Sequence, residues 1–425
     1  MHAAVAENRS IARFRRCPLL TEAAKRRRMS RPTNWLEKLR GPHRAVPVFG
    51  ITMILTWGTL FYSAALLLPL LAQARGWPIA LVMSGISIGL LAGGLASPKI
   101  GKAIDQYGGH YVMAAGSLLG AGALAALPFA THPVFYFGIW IALGIAMAAN
   151  LYDPAFATLT RIFGAEARKQ ITLLTLMGGF ASTVSWPATH LLLQLTDWRG
   201  TYFIYAAVMA LVVAPLHAFA VPRSKAKAPL PVEGAKVPAV LAAKGLVFAL
   251  VACAFATFMF AQSGMLTHML LIYERMGVDR ATAVAIGALF GPAQVAARIC
   301  ELAVARHTHP LNVARFAAAL LIAGFAVFAL FGISASTAAV FVIMFGAANG
   351  LMTIARGTLP LALFGPSGYG HLVGRLAAPA LAVQAAAPIA MALVIERVSD
   401  PAALALTACF IAVALACFLC IRRPS

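Results

Sequence analysis

The chain is built from blocks of some 20 or more mostly apolar residues, separated by short breaks of Gly, Pro or charge. One helical crossing of a bilayer takes roughly 20 such residues, since a backbone in lipid must satisfy its own hydrogen bonds. Reading blocks against breaks predicts spans at 46–72, 78–98, 111–131, 134–162, 169–194, 200–221, 245–272, 281–305, 311–332, 336–358, 371–395 and 401–421. Twelve crossings use about 240 residues, and a chain of 425 residues that is 61% hydrophobic can supply them. A soluble enzyme is excluded by that composition. Outer-membrane barrels are excluded too, because their strands alternate in polarity. The fold class is an all-α polytopic membrane protein in a lipid bilayer.

The net charge of +21 would suggest a nucleic-acid partner in a soluble protein, so its distribution decides its meaning. Twelve of the 34 Lys and Arg precede Ala45, in a basic tail over residues 1–44 that includes Lys25-Arg26-Arg27-Arg28 directly ahead of Met29. Two readings stand: a cytoplasmic tail against anionic lipid, or a chain whose true start is Met29. No apolar stretch of signal-peptide type follows these charges. With the N-terminus inside, 29 Lys and Arg fall on the tail, even-numbered turns and C-terminus, and 5 on the opposite loops. The positive-inside rule then places both termini in the cytoplasm of an inner (plasma) membrane, and no nucleic acid is expected. The six cysteines are scattered and predict neither a disulfide framework nor a metal site.

Residues 222–244 lack apolar periodicity and are rich in Lys and Pro. They read as a linker joining an N-terminal half, 45–221, to a C-terminal half, 245–425. A shift of 201 residues supports a repeat: Phe163-Gly164 falls on Phe364-Gly365, and Pro187 on Pro388. A parallel repeat of two six-helix bundles (6+6), related by a pseudo-twofold axis along the membrane normal, suits a rocking transporter.

After the second span comes Gly101-Lys-Ala-Ile-Asp105-Gln-Tyr-Gly108-Gly109-His110. It resembles the G-x-x-x-D-R-x-G-R/K-R/K signature that the major facilitator superfamily carries between helices 2 and 3. Gly101, Asp105 and Gly108 match, whereas Gln106 and His110 replace basic residues. The two glycines are expected to permit a tight turn there. The resemblance spans Val46 to Arg422, of the 12-helix bacterial type. It implies that Asp105 meets the positive N-terminal end of the eleventh span, near Gly370-His371, and latches the halves on the cytoplasmic side. A solvated loop carboxylate is the alternative. Gly85, Gly89 and Gly93 on the second span form a small-residue packing stripe.

Ionisable groups inside apolar spans are costly, about 2.5–3.5 kcal/mol on insertion scales, so each is a candidate functional residue. The fourth span holds Asn150, Tyr152 and Asp153, and the tenth holds Asn349 and Arg356. In the family, helices 1, 4, 7 and 10 line the central cavity, so the resemblance lets Asp153 and Arg356 meet. Three readings remain open: an inner gate, a proton carrier (Asp153) beside an anion-holding Arg356, or separate neutralisation by other neighbours. Trp57, Tyr62, Asn150, Tyr152, Gln262 and Asn349 are candidates for the substrate cavity, and His268 reads as a hydrogen-bonded structural histidine. Gln294, Arg298 and Glu301 share a face of the eighth span. Arg298 and Glu301 read as a cytoplasmic charge cluster that could relay to Glu166 or Arg168.

Walker A, G-x-S-x-G and H-E-x-x-H motifs are absent from the sequence. No catalytic residue, cofactor or metal is therefore predicted. The expected function is secondary active transport of a small organic solute, an organic anion before a cationic drug, coupled to protons through an intramembrane carboxylate. The chain is expected to act as a monomer, with a small-molecule substrate and protons as its partners. A drug or metabolite efflux antiporter of the same superfamily is the alternative, and a transporter-like sensor a remote one.

Overall fold

The computed structural model describes residues 41–223, 238–305 and 308–422, with the backbone alone at 238–244 and 305. The tail over 1–40, the alternative start at Met29 and linker residues 224–237 lie outside the described residues. Contacts divide the chain into Met1–Arg44 and Ala45–Ser425. In the first unit, Pro42–Arg44 form one helical turn. All that follows concerns the second.

Every regular element among the described residues of that unit is helical. Helix α1 consists of Ala45–Trp57 and Ala64–Arg75 joined by a π-turn over Gly58–Tyr62. Then come α2 (Ile79–Tyr107) and α3 (Gly109–Ala126). Helix α4 has two segments, Pro133–Asn150 and Tyr152–Phe163, and α5 has Ala167–Gly178 and Ala181–Leu195. Helix α6 (Trp198–Val208) continues through π-turns to Ala220. In the second half, α7 is Pro238–Arg275, and α8 combines Arg280–Gly287 and Phe290–Cys300 with a π-turn over Glu301–Ala305. The last four are α9 (Pro310–Phe331), α10 (Ala335–Phe364), α11 (Tyr369–Arg397) and α12 (Asp400–Cys420).

Among the described residues, eleven helical stretches are long and apolar enough to cross a membrane, and the longest, Pro133–Leu195, has 63 residues. At about 1.5 Å per residue a straight rod of that length would exceed 90 Å, three bilayer cores. It instead breaks at Gly164, whose φ of 62° ends α4, and supplies two crossings. The symmetry-related Gly365 ends α10 with φ 79°. Both follow the phenylalanines that the 201-residue shift aligns, so the repeat reaches down to matching helix caps. The protein is a multi-pass membrane protein; with Pro133–Leu195 counted twice the described residues make twelve candidate crossings, which puts both ends of the helical unit on one face, called here the termini face.

Each half buries its own core. One cluster lies within α1 to α6, centred on Leu67, Tyr136, Trp140 and Tyr202. Another lies within α7 to α12, around Phe258, Phe341, Phe345 and Phe418. A third joins the halves at the termini face, where Phe49, Phe156 and Ile171 meet Leu361, Tyr369 and Val373.

Three boundaries depart from expectation. The signature segment is not a loop: α2 runs on to Tyr107, so Gly101 is a buried helical residue and makes no turn. Gly108 alone of the two has positive φ, at 92°. The fourth span is interrupted at Leu151, because Pro154 has no N–H and its ring would clash with the Asn150 carbonyl. Helix α7 begins at Pro238, inside the predicted linker.

Candidate functional site

The seam between the halves is closed along the termini face. Gly94, Ser97 and Gly101 recur on one face of α2, where a side-chain carbon at Gly94 would lie 3.0 Å from the Ala378 carbonyl and one at Gly101 2.0 Å from the Gly370 carbonyl. From α11, Gly374 meets the Ser97 carbonyl in the same way. Small residues here let two backbones touch. The expected stripe of Gly85, Gly89 and Gly93 faces Trp140 and Gly144 of α4 instead, within one half. The four-residue spacing was visible in the sequence, but not which of two adjacent glycine faces crosses the seam.

Asp105 sits one turn beyond Gly101. Its Oδ1 accepts the Gly370 N–H at 2.9 Å and its Oδ2 the His371 N–H at 2.7 Å. A carboxylate thus caps the first turn of α11 from the other half, where unpaired N–H groups and the helix dipole attract negative charge. Gln106 offers no cation, and Arg161 of α4 donates to the Ile104 carbonyl at 3.0 Å and to the Asp105 carbonyl at the C-terminal end of α2. Removing the cap in Asp105→Ala should weaken this contact by about 0.5–2 kcal/mol. Faster labelling of a cysteine placed at Gln106 would register the change, and unaltered labelling would count against a latch.

Deeper in the seam, Arg356 Nη2 lies 3.2 Å from Asp153 Oδ2 and 3.4 Å from Oδ1. The break at Leu151 puts Asp153 in the first turn of a new helical segment, a favourable end for a carboxylate. Two small cavities meet at Asp153. One, of about 10 Å³, is lined by Asp153, Phe255, Arg356, Val373, Leu376 and Ala377; the other, also of about 10 Å³, reaches Gly101 and Gly370. Both fall far below the roughly 300 Å³ at which small-molecule pockets begin, so the seam around the pair is closely packed.

A third cross-seam contact joins α5 and α8. Arg168 Nη2 reaches Glu301 Oε1 at 3.1 Å. Arg298, expected with Glu301 in one cytoplasmic charge cluster, is buried in the seam as Glu301 is, at 3% and 2% exposed, but has different partners. Its Nη1 donates to the Thr175 carbonyl at 2.8 Å, its Nη2 to Gln294 Oε1 at 3.2 Å and its Nε to the Gly350 carbonyl at 3.5 Å. The sequence placed it by counting along α8 and carried no signal of the break in α5 that receives it.

Beside Arg298 lies an aromatic cluster. The π-turn in α1 brings residues five apart onto one side, so the Trp57 and Tyr62 rings stand 5.7 Å apart, with Tyr152 5.4 Å from Trp57 and Trp186 6.0 Å from Tyr62. Trp186, next to Pro187, is a wall of this cluster that the sequence did not single out. Asn150 does not belong to it, contrary to the cavity assignment. Its Oδ1 accepts from Ser117 Oγ at 2.7 Å, which in turn contacts His217 Nδ1 at 3.0 Å, inside the first half. With Leu151 extended, Asn150 and Tyr152 face different neighbours. Gln262 and Asn349 each hold a buried amide oxygen with no protein partner. His268 Nε2 lies 2.9 Å from the Pro388 carbonyl.

Comparison with known structures sets this geometry in context. The human organic anion transporter MFSD10 (TETRAN) matches with a TM-score of 0.70 at 15% identity, over 89% of this chain and 99% of that one. The E. coli fucose:proton symporter FucP matches with a TM-score of 0.65 at 13% identity, over 88% and 97%. The proton:xylose symporter XylE, bound to 6-bromo-6-deoxy-D-glucose, gives 0.59 at 11%, over 88% and 92%. At these identities the likeness shows the fold. No curated protein matches in sequence. The sequence model of the Major Facilitator Superfamily matches residues 48–375, which carry the α2 signature, its partner at the start of α11 and the paired charges of α4 and α10. With two six-helix bundles meeting at that seam, the chain belongs to the major facilitator superfamily of membrane transporters.

Proposed function

We propose that the protein moves a small organic anion across a bacterial-type inner membrane by alternating access, coupled to protons, with both termini in the cytoplasm. The observation that carries this reading is the Asp153–Arg356 contact between α4 and α10. It joins the two halves through charges that an inward-opening motion must separate, and its carboxylate can take up a proton when the guanidinium leaves. Charge favours an anion. Glu301 is paired with Arg168 and Asp153 with Arg356, whereas the buried Arg298 donates to two carbonyls and an amide oxygen. The structural neighbours include an organic anion transporter and a proton symporter, which supports this assignment. The 29-to-5 division of Lys and Arg supports the orientation.

Proteoliposomes with an imposed pH gradient provide the test. Labelled carboxylates should accumulate with the gradient, and collapsing it with an uncoupler should reduce the initial rate at least tenfold. Folded protein that carries sugars or cations but no carboxylate would rule out the anion. A carboxylate flux indifferent to the gradient would rule out proton coupling.

A further inference from the structure

We infer that Arg298 is the receptor for the substrate's anionic group, and that binding there releases α8 from α5. The inference deepens the organic-anion reading above and rests on it.

Arg298 is buried between the halves, yet the acceptors it holds are all neutral: two backbone carbonyls and a side-chain amide. The two neighbouring seam guanidiniums differ, since Arg356 has Asp153 and Arg168 has Glu301. Thr175 lies in the last turn before the break in α5, so a helix end contributes some negative potential. That effect is small beside the cost of taking a cation out of water. The site is short of one negative charge.

It is also short of an acceptor. Trp57 Nε1 is a buried donor without a partner, and its ring packs against Tyr152, whose phenol lies beside the Arg298 guanidinium. The Gly178-Gly179 pair forms the notch that admits both groups. A side-chain carbon at Gly178 would fall 2.5 Å from the Tyr152 hydroxyl, and one at Gly179 2.4 Å from Arg298 Nη1. One uncompensated positive charge, an unused N–H and aromatic walls suit one carboxylate on an apolar or aromatic body. A dianion would need a second free cation.

An end-on, two-pronged grip on a carboxylate uses Nη1 together with Nη2, and Nη1 is the atom that holds the Thr175 carbonyl. An arriving carboxylate therefore competes with Thr175 and loosens the α5–α8 contact. This couples occupancy to opening without any contribution from Asp153.

Benzoate is the probe, with benzamide as its neutral counterpart, and binding is read by tryptophan fluorescence of the purified full-length protein. Wild type should bind benzoate saturably and benzamide not at all. Arg298→Gln should weaken benzoate binding at least tenfold. Arg298→Lys, which keeps the charge and loses the fork, should weaken it about tenfold. Should Arg298→Gln fail to fold, Trp57→Phe, removing the orphan N–H, should still weaken binding several-fold. Benzoate binding retained in Arg298→Gln and lost in Arg356→Gln would overturn the inference while leaving anion transport standing. A folded wild-type protein that binds neither benzoate nor acetate, but does bind a sugar or a cation, would overturn both.

Discussion

Gly101→Ala is expected to abolish transport while leaving the protein folded. The added methyl carbon would lie 2.0 Å from the Gly370 carbonyl oxygen and 2.5 Å from its carbon, both backbone atoms with no rotamer to yield. Helices α2 and α11 would have to separate by about 1 Å, and overpacking of this kind costs about 1–3 kcal/mol. The strain exists only while the termini face is closed, so it disfavours that conformation by about 5- to 150-fold. The Asp105 cap on Gly370 and His371, one turn away, would lose its geometry as well. Gly94→Ala, where the added carbon meets the Ala378 carbonyl at 3.0 Å, should give a smaller defect in the same direction. Distances between spin labels on the termini face should lengthen in Gly101→Ala. An unchanged distance distribution with wild-type flux would refute the seam as described.

The second large effect concerns Asp153 and Arg356. Their side chains are 21% and 19% exposed, which lies between a fully buried pair, where losing one partner costs about 3–5 kcal/mol, and a surface pair worth under about 1 kcal/mol. Asp153→Asn or Arg356→Gln alone should therefore destabilise the closed state by on the order of 2 kcal/mol and slow transport at least tenfold. The double substitution leaves no unpaired charge, so it should recover counterflow, the exchange that needs no gradient, to within a few-fold of wild type. Accumulation driven by pH should stay absent in every variant that lacks the Asp153 carboxylate. If the double substitution exchanges solute no faster than the worse single one, the two side chains do not act as a pair.

Much of this architecture was legible because a bilayer narrows the choices. Backbone groups in hydrocarbon must pair within their own segment, so 20-residue apolar blocks have few folds other than helices. The likeness of Phe163-Gly164 to Phe364-Gly365 was legible for a related reason, since a glycine with positive φ is the readiest way to end a helix. Asp105 could be assigned to the start of α11 from its motif, although the role expected of Gly101 was wrong. The residue that seemed to allow a turn instead allows two backbones to touch, and sequence spacing does not distinguish these uses of glycine.

The sequence by itself determined the number of crossings, the twofold repeat and the short inventory of charges tolerated in apolar spans, because each follows from local hydrophobicity or local backbone chemistry. Tertiary structure alone decided how those charges are used. Asn150 and Tyr152 are two residues apart, yet one turns to Ser117 within the first half and the other to Arg298 across the seam. Arg298 and Glu301 share a helix face, yet one holds a carbonyl at a break in α5 and the other a guanidinium at its start. The deciding factor in each case is a helix interruption, at Leu151 and at Gly179-Phe180. A break re-aims every side chain after it, and its direction is set by packing against helices distant in sequence.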